Sequence, residues 1–519
     1  MESDNSTTPL LQTIDASNNL QAYSDEKTAS ASLDEAIESF TGGTSKALLW
    51  QAFLASLAWI FDGQQTFINV FTDAQPAWHT TTGGGGGGAA TQCNLTRDSW
   101  TWDHPKEISI ISDWDLQCSS AAVVGLPASA FFAGCVLGGL LLATLADSKF
   151  GRKNMLFFTS LSMSISAGLT SASPNLVIYS LLRFISGFSR ATVGTSALVL
   201  STELVGRRWR EAVGIMGFLC FTLGFLSLPV MAYLVRDHSW RMLYILTFIM
   251  SLIYSIIIFF LQKESPRWLL VRGRRDEAMQ TLGIKGSLST RFSSFLDKFE
   301  KEEKKDGDVF SSMRVLWEKR WVFRRMVAAM VVGVGIGMVY YGMPLALGSL
   351  GSNLYISVGM NALSEVPSNL LVLVLIERMS KRMCLLGFNV MSGLGCILCV
   401  FLVRRWWRVV AELVGFFAAC SGFSVMMVYS VELFPTAVRN SAVMMVREAM
   451  VLGGMVAPMM IAAAGRAGNG VVSFGVFGLV MVCFSLFVVC LPETKGRQMF
   501  DTLEEEEEKI KKNYESLVC

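Results

Sequence analysis

Residues 138–153 have the sequence GGLLLATLADSKFGRK. They close a long apolar run, 121–146, with an acid, a turn glycine and three bases, and another apolar run begins at Asn154. A run of this length is sufficient to cross a bilayer, since about 20 residues of helix span the hydrocarbon. The stretch therefore predicts two membrane-spanning helices that are joined by a very short charged loop.

The composition extends this prediction to the whole chain. Of its 519 residues, 52% are hydrophobic and 17% are charged, whereas soluble proteins have about 25% charged residues. The charges concentrate in residues 1–45, 263–325 and 492–519, which leaves apolar runs of about 20 residues. We therefore expect an all-α protein that lies in a lipid bilayer. Its net charge of +2 gives no indication of nucleic-acid binding, because the bases stand in short loops beside apolar runs.

No pattern in the sequence indicates a metal site, a cofactor or an enzyme. The eleven cysteines are mostly scattered singly through apolar runs, where a thiol packs as a small hydrophobic group. The glycine run at 83–88 lacks the Gly-Lys-Ser/Thr of a phosphate-binding loop, so we interpret it as a flexible linker. No constellation of nucleophile and base, or of metal ligands, surrounds the three histidines.

Twelve apolar runs are long enough to cross the membrane, and they are numbered spans 1–12 in chain order. The fold class predicted is therefore twelve transmembrane helices. The spans cover residues 50–70, 121–146, 154–172, 176–200, 212–235, 241–262, 326–347, 352–376, 383–403, 409–430, 441–464 and 471–491.

The distribution of bases predicts the orientation of the chain. Clusters of Lys and Arg follow spans 2, 4, 6 and 8, and bases beside a membrane helix favour the cytoplasmic side. Both termini are then cytoplasmic, and the polar loop 73–119 is outside. Asn94 in this loop begins an Asn-x-Thr acceptor for N-glycosylation. Cys93 and Cys118 could form a disulfide in an oxidising compartment or stay unpaired.

The chain is expected to divide into two parallel halves. A disordered cytoplasmic tail, 1–45, precedes the first six-helix half, 46–262; a cytoplasmic loop, 263–325, leads to the second half, 326–491, and a cytoplasmic tail, 492–519, follows. Charged residues at helix ends recur between the halves at an offset of about 230 residues, as in two repeated units. The matched sets are Asp147 and Arg152 with Glu377 and Arg382, Glu203 and Arg210 with Glu432 and Arg439, and Glu264 with Glu493.

These recurring charges predict a cytoplasmic gate. Acid–base pairs at the helix ends would stabilise the state that is open to the outside, and their rupture would allow the inside to open. The alternative is that they are topology signals and solvated loop charges, since exposed ion pairs contribute about 0–1 kcal/mol. The predicted gate residues are Asp147, Gly151, Arg152, Glu203, Arg210, Glu264, Arg267, Glu377, Arg382, Glu432, Arg439 and Glu493.

Ionisable side chains inside the apolar runs are candidates for binding a solute. Each costs on the order of 2.5–3.5 kcal/mol at the bilayer centre, so it is seldom kept without a role. Glu365 stands two residues before Pro367, where a kink can direct backbone groups into a cavity. Arg447 and Glu448 could instead lie at the membrane interface. The candidates for substrate binding or coupling are Asp62, Gln64, Arg183, Tyr340, Tyr341, Glu365 and Arg447.

Aromatic residues accompany these charges. Tyr340 and Tyr341 in span 7, and Trp59 and Phe61 in span 1, could offer ring faces to an ammonium group. An acid of span 1 or span 8 would then supply the counter-charge. The alternative for each ring is packing, or anchoring at the membrane interface.

The loop within residues 138–153 resembles the loop between helices 2 and 3 of the major facilitator superfamily, Gly-x-Leu-Ala-Asp-Arg-x-Gly-Arg-Lys. The positions that match in kind are Leu145, Ala146, Asp147, Gly151, Arg152 and Lys153. Further motifs resemble the organic cation and carnitine transporter family, and its plant branch in particular. They are FDGQQTF at 61–67, DWDLQC at 113–118, RFISGFSR at 183–190, ESPRWL at 264–269, YYG at 340–342, EVP at 365–367 and VELFPTAVRN at 431–440.

This resemblance implies transport of ammonium-bearing solutes such as carnitine, choline-like cations or polyamines. Animal members of the family place an aspartate in span 11 just before a Gly-Gly pair, whereas this chain has Val451 there. Either Asp62 or Glu365 would then replace the missing counter-charge, or the substrate is not a simple cation. Arg447 could meet the carboxylate of a zwitterion such as carnitine.

These features together predict a secondary transporter of organic cations or carnitine that works by alternating access as a monomer. A proton could drive it, or the membrane potential, worth about 2.3 kcal/mol per charge per 100 mV. Two other functions stay open: a proton-coupled sugar carrier of the same fold, and a sensor that binds a solute without moving it. The plasma membrane and the vacuolar membrane are both possible locations.

Overall fold

The computed structural model describes residues 45–80, 93, 95–146, 150–283, 319–435 and 438–495. Within these ranges twelve helical segments follow the order of the predicted spans and take their numbers, which confirms the predicted all-α fold. Span 1 comprises Lys46–Ser56, Ala58–Phe67 and Asn69–Thr72, and the later spans are Ala121–Ala146, Arg152–Ser171, Leu176–Glu203, Arg207–Leu234, Trp240–Leu261, Arg320–Ala346, Leu354–Arg378, Lys381–Phe401, Arg405–Leu433, Arg439–Arg466 and Val472–Ser485.

Ten of the described helices are long and apolar enough to cross a bilayer. The other two segments are span 1, which is divided at Leu57 and Ile68, and span 3, which is rich in serine and threonine. Span 1 packs on span 5, and span 3 packs on spans 4 and 6. Both segments are therefore packed against other helices of the first half.

Several helices begin earlier than the apolar runs predicted. Span 5 begins at Arg207 rather than 212, span 7 at Arg320 rather than 326, and span 10 at Arg405 rather than 409. Each added turn contains arginine, whose long side chain can reach water from a helix that continues beyond the hydrocarbon. A charged residue thus marks the edge of the apolar layer and not the end of the helix.

The helices pack in two halves with the same pairings. In the first half span 1 packs on span 5, span 2 on span 4 and span 3 on span 6; in the second half the pairs are 7 with 11, 8 with 10 and 9 with 12. Adding six to the span numbers of a first-half pair gives the matching second-half pair, as expected for two repeated units. The halves meet chiefly where span 2 packs on span 11 and span 5 on span 8.

Glycines allow spans 1 and 5, and the matching spans 7 and 11, to approach closely. A Cβ atom at Gly63 or Gly224 would stand 2.6 or 2.1 Å from a carbonyl oxygen of the facing helix, and one at Gly337 or Gly453 would stand 1.8 or 2.2 Å away. No side chain fits at these distances unless the helices separate. Small residues at helix contacts are a common means of close packing in membranes.

The polar loop after span 1 is folded onto the first half. Its strands β1 (Trp78–Thr80) and β2 (Trp100–Trp102) pair antiparallel. Cys93 is bridged to Cys118, so the pairing that the sequence left open is a disulfide. The Ser109 hydroxyl donates hydrogen bonds to backbone carbonyls at the end of span 1, which ties the loop to that helix.

We call the end of the bundle that carries this loop the loop side, and the end that carries Gly151 the motif side. Two residues of the predicted sites, Asn94 and Asp147, lie outside the described residues.

Candidate functional site

A buried ion pair joins spans 1 and 4. Arg190 Nε donates to Asp62 Oδ1, and the two side chains are 6% and 0% exposed. Arg190 Nη1 also lies 3.9 Å from Cys135 Sγ. The sequence predicts Asp62 as a counter-charge for a solute, but the structure places it against a base of its own half. Its charge is therefore already compensated in this conformation.

Charged groups of the second half lie close to this ion pair. Tyr341 of span 7 is within electrostatic range of both Arg190 and Arg447 of span 11. Glu448 faces Gly139 of span 2, where a Cβ atom would stand 2.0 Å from Glu448 Oε1. Gly139 belongs to the stretch 138–153, so that stretch also leaves room for an acid of the opposite half.

Glu365 receives one hydrogen bond from each half. Tyr340 of span 7 donates its hydroxyl to Oε1 at 2.5 Å, and Thr222 of span 5 donates to Oε2 at 2.8 Å. The side chain is buried, and no Lys, Arg or His of the described chain pairs with it. Glu365 thus has donors but no counter-ion, and a bound cation would supply the missing charge.

Aromatic rings from both halves meet around Tyr340, which donates to Glu365. Contacts across the halves join Phe67 to Tyr340, with ring centroids 6.2 Å apart, and Phe132 to Tyr341, with centroids 4.9 Å apart. Ring faces carry the negative part of the aromatic quadrupole, which attracts an ammonium group. We call these rings and the ones that pack on them the aromatic cluster: Phe67, Phe132, Phe225, Tyr340, Tyr341, Phe416 and Phe423.

The two aromatic residues predicted from span 1 pack within the first half. Trp59 lies over Gly194 and Gly217 of spans 4 and 5. Phe61 packs on Tyr254 of span 6, with ring centroids 4.9 Å apart. The ring that span 1 contributes to the aromatic cluster is Phe67, which follows Phe61 by six residues, or about 1.7 turns of helix.

Arg183 is fixed by amides rather than by an acid. Its Nη1 donates to Gln65 Oε1 at 3.1 Å and its Nη2 donates to Asn69 Oδ1 at 2.5 Å, so it links span 4 to span 1. Gln64 Nε2 donates to Ser227 Oγ of span 5 at 2.8 Å. The partners of these two candidates all belong to the first half.

Several residues of these networks were not among the predicted site residues, and three of them show why. Arg190 is an ionisable residue inside the apolar run of span 4, and its position seven residues after Arg183, on the same face of the helix, could have added it to the site. Thr222 has no distinguishing feature in an apolar run. Asp73 ends the first helix, where it accepts a hydrogen bond from Tyr179 at 2.8 Å, and the sequence did not separate it from the polar loop.

Two acids organise the motif side of the first half. Glu264 Oε1 accepts the backbone N–H groups of Arg152 and Lys153, each at 2.9 Å, and so caps the N-terminus of span 3. Gly151 has a φ of 84°, and a Cβ atom there would stand 2.3 Å from Glu264 Oε2. Glu203 Oε2 lies 3.8 Å from Arg152 Nε.

The second half repeats this arrangement. Lys381 pairs with Glu432, and the Ser380 hydroxyl donates to Glu493. Each of these residues stands 229 positions after the first-half residue in the corresponding place. The repeat that the sequence predicted is therefore also a repeat of side-chain positions.

One predicted match is corrected by this arrangement. The sequence pairs Arg152 with Arg382, but the base that contacts the matching acid is Lys381. Arg382 instead donates to the backbone carbonyl of Val489 at 2.7 Å. A shift of one residue rotates a side chain by about 100° around the helix, so adjacent bases face different neighbours.

The remaining gate candidates also lie on the motif side. Arg267 and Glu377 are exposed, whereas Arg210 and Arg439 are half-buried. Their grouping at one end of the bundle is compatible with a gate, and the gate itself stays a prediction.

Comparisons with known proteins place this architecture among membrane carriers. A family model described as sugar (and other) transporter matches residues 20–505. The chain is 48% identical over 499 residues to organic cation/carnitine transporter 2 of Arabidopsis thaliana, covering 92% of this chain and 94% of that protein. Organic cation/carnitine transporter 3 of the same plant is 48% identical over 488 residues, with 92% and 94% covered.

Solved structures have the same fold at much lower identity. The inward-open xylose transporter XylE from E. coli aligns with a TM-score of 0.62 and 16% identity, over 87% of this chain and 97% of that one. A second XylE structure, titled as a major facilitator superfamily symporter, aligns with a TM-score of 0.57 and 18% identity, with 87% and 97% covered. At these identities the likeness concerns the fold alone.

Proposed function

The chain belongs to the sugar (and other) transporter family within the major facilitator superfamily, and we propose that it carries organic cations and carnitine-like zwitterions across a membrane by alternating access. Its relatives at 48% identity are named organic cation/carnitine transporters, which supports this substrate class. The motifs that suggested the resemblance are distributed over both halves, as is the alignment with these relatives.

The proposal rests chiefly on the surroundings of Glu365. A solute ammonium that reached this acid would meet a carboxylate without a counter-ion and the faces of the aromatic cluster. The two hydrogen bonds to Glu365 come from different halves, from Thr222 and Tyr340. The site is therefore complete only when the halves are closed around it, and their separation on either side would open it.

A second charged group supports binding of zwitterions. Arg447 lies within electrostatic range of Tyr341, next to the aromatic cluster. A solute that placed its ammonium at Glu365 could direct a carboxylate toward Arg447. This arrangement would replace the aspartate that animal members have at the position of Val451.

The orientation and the gate belong to the same proposal. We place the motif side in the cytoplasm, with both termini, because bases follow the even-numbered spans. The disulfide between Cys93 and Cys118 supports an oxidising compartment on the loop side. There Asn94 would be glycosylated. We also place the protein, as a functional monomer, in the plasma or vacuolar membrane.

A sugar carrier of the same fold has less support. Such a site would need free amide side chains. The amide N–H groups of Gln64 and Gln65 already donate hydrogen bonds to Ser227 and Thr247 of the first half, and Gln65 Oε1 accepts from Arg183. Of these two amides, only Gln64 Oε1 has no partner among the described residues.

Uptake of labelled carnitine, a polyamine, tetraethylammonium and glucose into cells that express the chain tests the proposal. Saturable uptake of an ammonium-bearing solute without uptake of glucose is the expected result. Uptake of glucose alone would identify a sugar carrier, and binding without any uptake would identify a sensor.

Variants of the site make the test specific. Glu365→Gln removes the counter-charge and is expected to abolish saturable cation uptake. Tyr340→Phe removes one of the two donors to Glu365 and should raise KM by roughly ten- to a hundredfold, since a hydrogen bond to a charged group contributes about 1.5–3 kcal/mol. The matched control is Tyr254→Phe, whose hydroxyl bonds backbone carbonyls of span 1. If all three variants transport like the unchanged protein, the cation does not bind at Glu365.

A further inference from the structure

A third buried acid stands on span 10. Glu412 is 1% exposed, and Asn361 Nδ2 of span 8 donates to its Oε1 at 2.8 Å. Arg408, one turn closer to the loop side, directs its Nε to the carbonyl of Leu402. In the described part of the chain no basic side chain interacts with Glu412. This acid therefore lacks the kind of partner that compensates the charge of the acid in span 1.

Asn361 supplies a second observation. It is fully buried, and its Oδ1 has no hydrogen-bond donor among the described residues. An ionised carboxylate can only accept, so it leaves this carbonyl unsatisfied at a cost of about 1–3 kcal/mol. A protonated carboxyl has both an acceptor and an O–H donor, so it can pair with an amide through two complementary hydrogen bonds. The surroundings of Glu412 therefore suit the protonated acid.

Among the described residues, the other titratable groups within electrostatic range of Glu412 are neutral. They are the thiols of Cys396 and Cys399 on span 9 and of Cys420 on its own helix. Glu412 is seven residues from the loop-side start of span 10, about 10 Å of helix, whereas Glu365 is eleven residues, about 16 Å, from the start of span 8. A proton from the loop side would thus reach Glu412 first.

Span 8 connects this acid to the proposed cation site. Asn361 and Glu365 are four residues apart and so lie on the same face of the helix, one turn from each other. Cys420 is within electrostatic range of both Glu365 and Glu412. A change in the contact between Glu412 and Asn361 therefore acts on the helix that carries the cation-binding acid.

We propose that Glu412 is a proton-binding site that couples proton movement to cation transport; this inference rests on the proposed function. One proton from loop-side water converts the Glu412 carboxylate to the acid, and the same proton leaves to the motif side once the halves have rearranged around the bound cation. Protonation completes the pair with Asn361 and draws spans 8 and 10 together around Glu365. Loss of the proton leaves a buried anion and an unsatisfied amide, which separates the two helices.

Proteoliposomes that contain the full chain test this proposal, with tetraethylammonium as the probe and the membrane potential clamped by potassium and valinomycin. An inward gradient of one pH unit is expected to drive up to about tenfold accumulation, if one proton accompanies each cation. Glu412→Gln keeps an amide donor for Asn361 Oδ1 but cannot titrate. It should abolish the accumulation and keep exchange of labelled for unlabelled tetraethylammonium, which requires no net proton movement.

The control and a second variant make every outcome informative. Asp237→Asn, at an exposed loop-side acid, should keep both activities. If Glu412→Gln does not fold, Glu412→Asp, whose shorter side chain reaches less far toward Asn361, should shift the pH dependence of accumulation. Three results would each overturn the proton site. They are accumulation by Glu412→Gln equal to that of the unchanged protein, an unshifted pH dependence in Glu412→Asp, and exchange without accumulation in the unchanged protein. Absence of exchange in the unchanged protein would instead overturn the proposed function.

Discussion

At the scale of single residues, three buried acids differ because their partners differ. Asp62 is paired with Arg190, Glu365 accepts from two hydroxyl groups, and the remaining acid, on span 10, accepts from an amide. A paired carboxylate is compensated, whereas an acid with neutral donors still needs a cation or a proton. A buried acid can therefore stabilise the fold in span 1 and bind a solute in span 8.

The ion pair of spans 1 and 4 leads to a stability prediction. Asp62→Asn leaves Arg190 as an uncompensated buried charge and should destabilise the fold by about 3–5 kcal/mol, as should Arg190→Gln. The double variant removes both charges and should regain most of the loss. Thermal unfolding of the purified protein in detergent would measure these differences.

A partly exposed pair serves as the control for this prediction. Arg241 lies 2.8 Å from Asp113, with side chains 32% and 19% exposed. Asp113→Asn should cost no more than about 1 kcal/mol, because solvent screens the pair. If the double variant Asp62→Asn/Arg190→Gln unfolds at as low a temperature as the two single variants, the two charges do not stabilise each other.

At the scale of helices, the closest helix–helix contacts depend on glycine, because it has no side chain. Gly337→Ala would place a methyl group 1.8 Å from the carbonyl of Met450 and should destabilise the contact of spans 7 and 11 by about 1–3 kcal/mol. Gly214→Ala is the matched control, since nothing lies within 4 Å of its Cβ position, and alanine there should stabilise span 5 by up to about 1 kcal/mol. Unfolding temperatures that change in the same direction for both would contradict this account.

The surroundings of Glu493 on the motif side predict that the stability of the fold depends on pH. Partial burial by itself raises the pKa of Glu493, but hydrogen bonds from Ser380 and from the backbone of Lys495 and Thr494, with the charge of Arg382, outweigh it and lower the pKa below its ordinary value of 4.5. A lowered pKa means that the folded state favours the carboxylate. The stabilisation is therefore present above pH 4.5 and is lost as the pH falls through the folded-state pKa.

The measurement compares the unfolding temperature of the unchanged protein with that of Glu493→Gln between pH 7 and pH 3.5. The variant should lose less stability over this range, because it has no carboxylate to protonate at this position. An equal loss in both proteins would mean that Glu493 does not contribute.

At the scale of the whole molecule, the two halves also meet at the loop side. Phe71 of span 1 stacks on Tyr355 of span 8, with ring centroids 5.7 Å apart and ring planes 14° apart. Tyr233 of span 5 meets the same tyrosine edge to face, with ring centroids 5.6 Å apart. The described rings close this end of the contact between the halves.

Alternating access requires this contact to open. A short bifunctional thiol reagent that links Cys residues in the double variant Phe71→Cys/Tyr355→Cys should therefore stop cation uptake. Each single variant treated in the same way is the control and should keep its uptake. Continued uptake by a fully linked double variant would mean that the halves do not part at this place.

Most of the fold could be predicted from the sequence because its main determinant is local. A bilayer requires about 20 apolar residues for each helix, and backbone groups in lipid must be bonded within the helix. Twelve apolar runs, the repeat of charged residues and the turn around Gly151 follow from these requirements. The starts of spans 5, 7 and 10 were placed too late, since arginine is compatible with a helix that leaves the membrane.

The chemistry of the site depends on contacts that no short stretch contains. Asp62 and Arg190 are 128 residues apart, Thr222 and Glu365 are 143 residues apart, and Asn361 and its acid are 51 residues apart. Which of these groups meet depends on how each helix is rotated and on which helices pack together. Sequence spacing determines the face of a helix on which a residue stands, and only the packing of the helices decides whether that face meets lipid, a base or another acid.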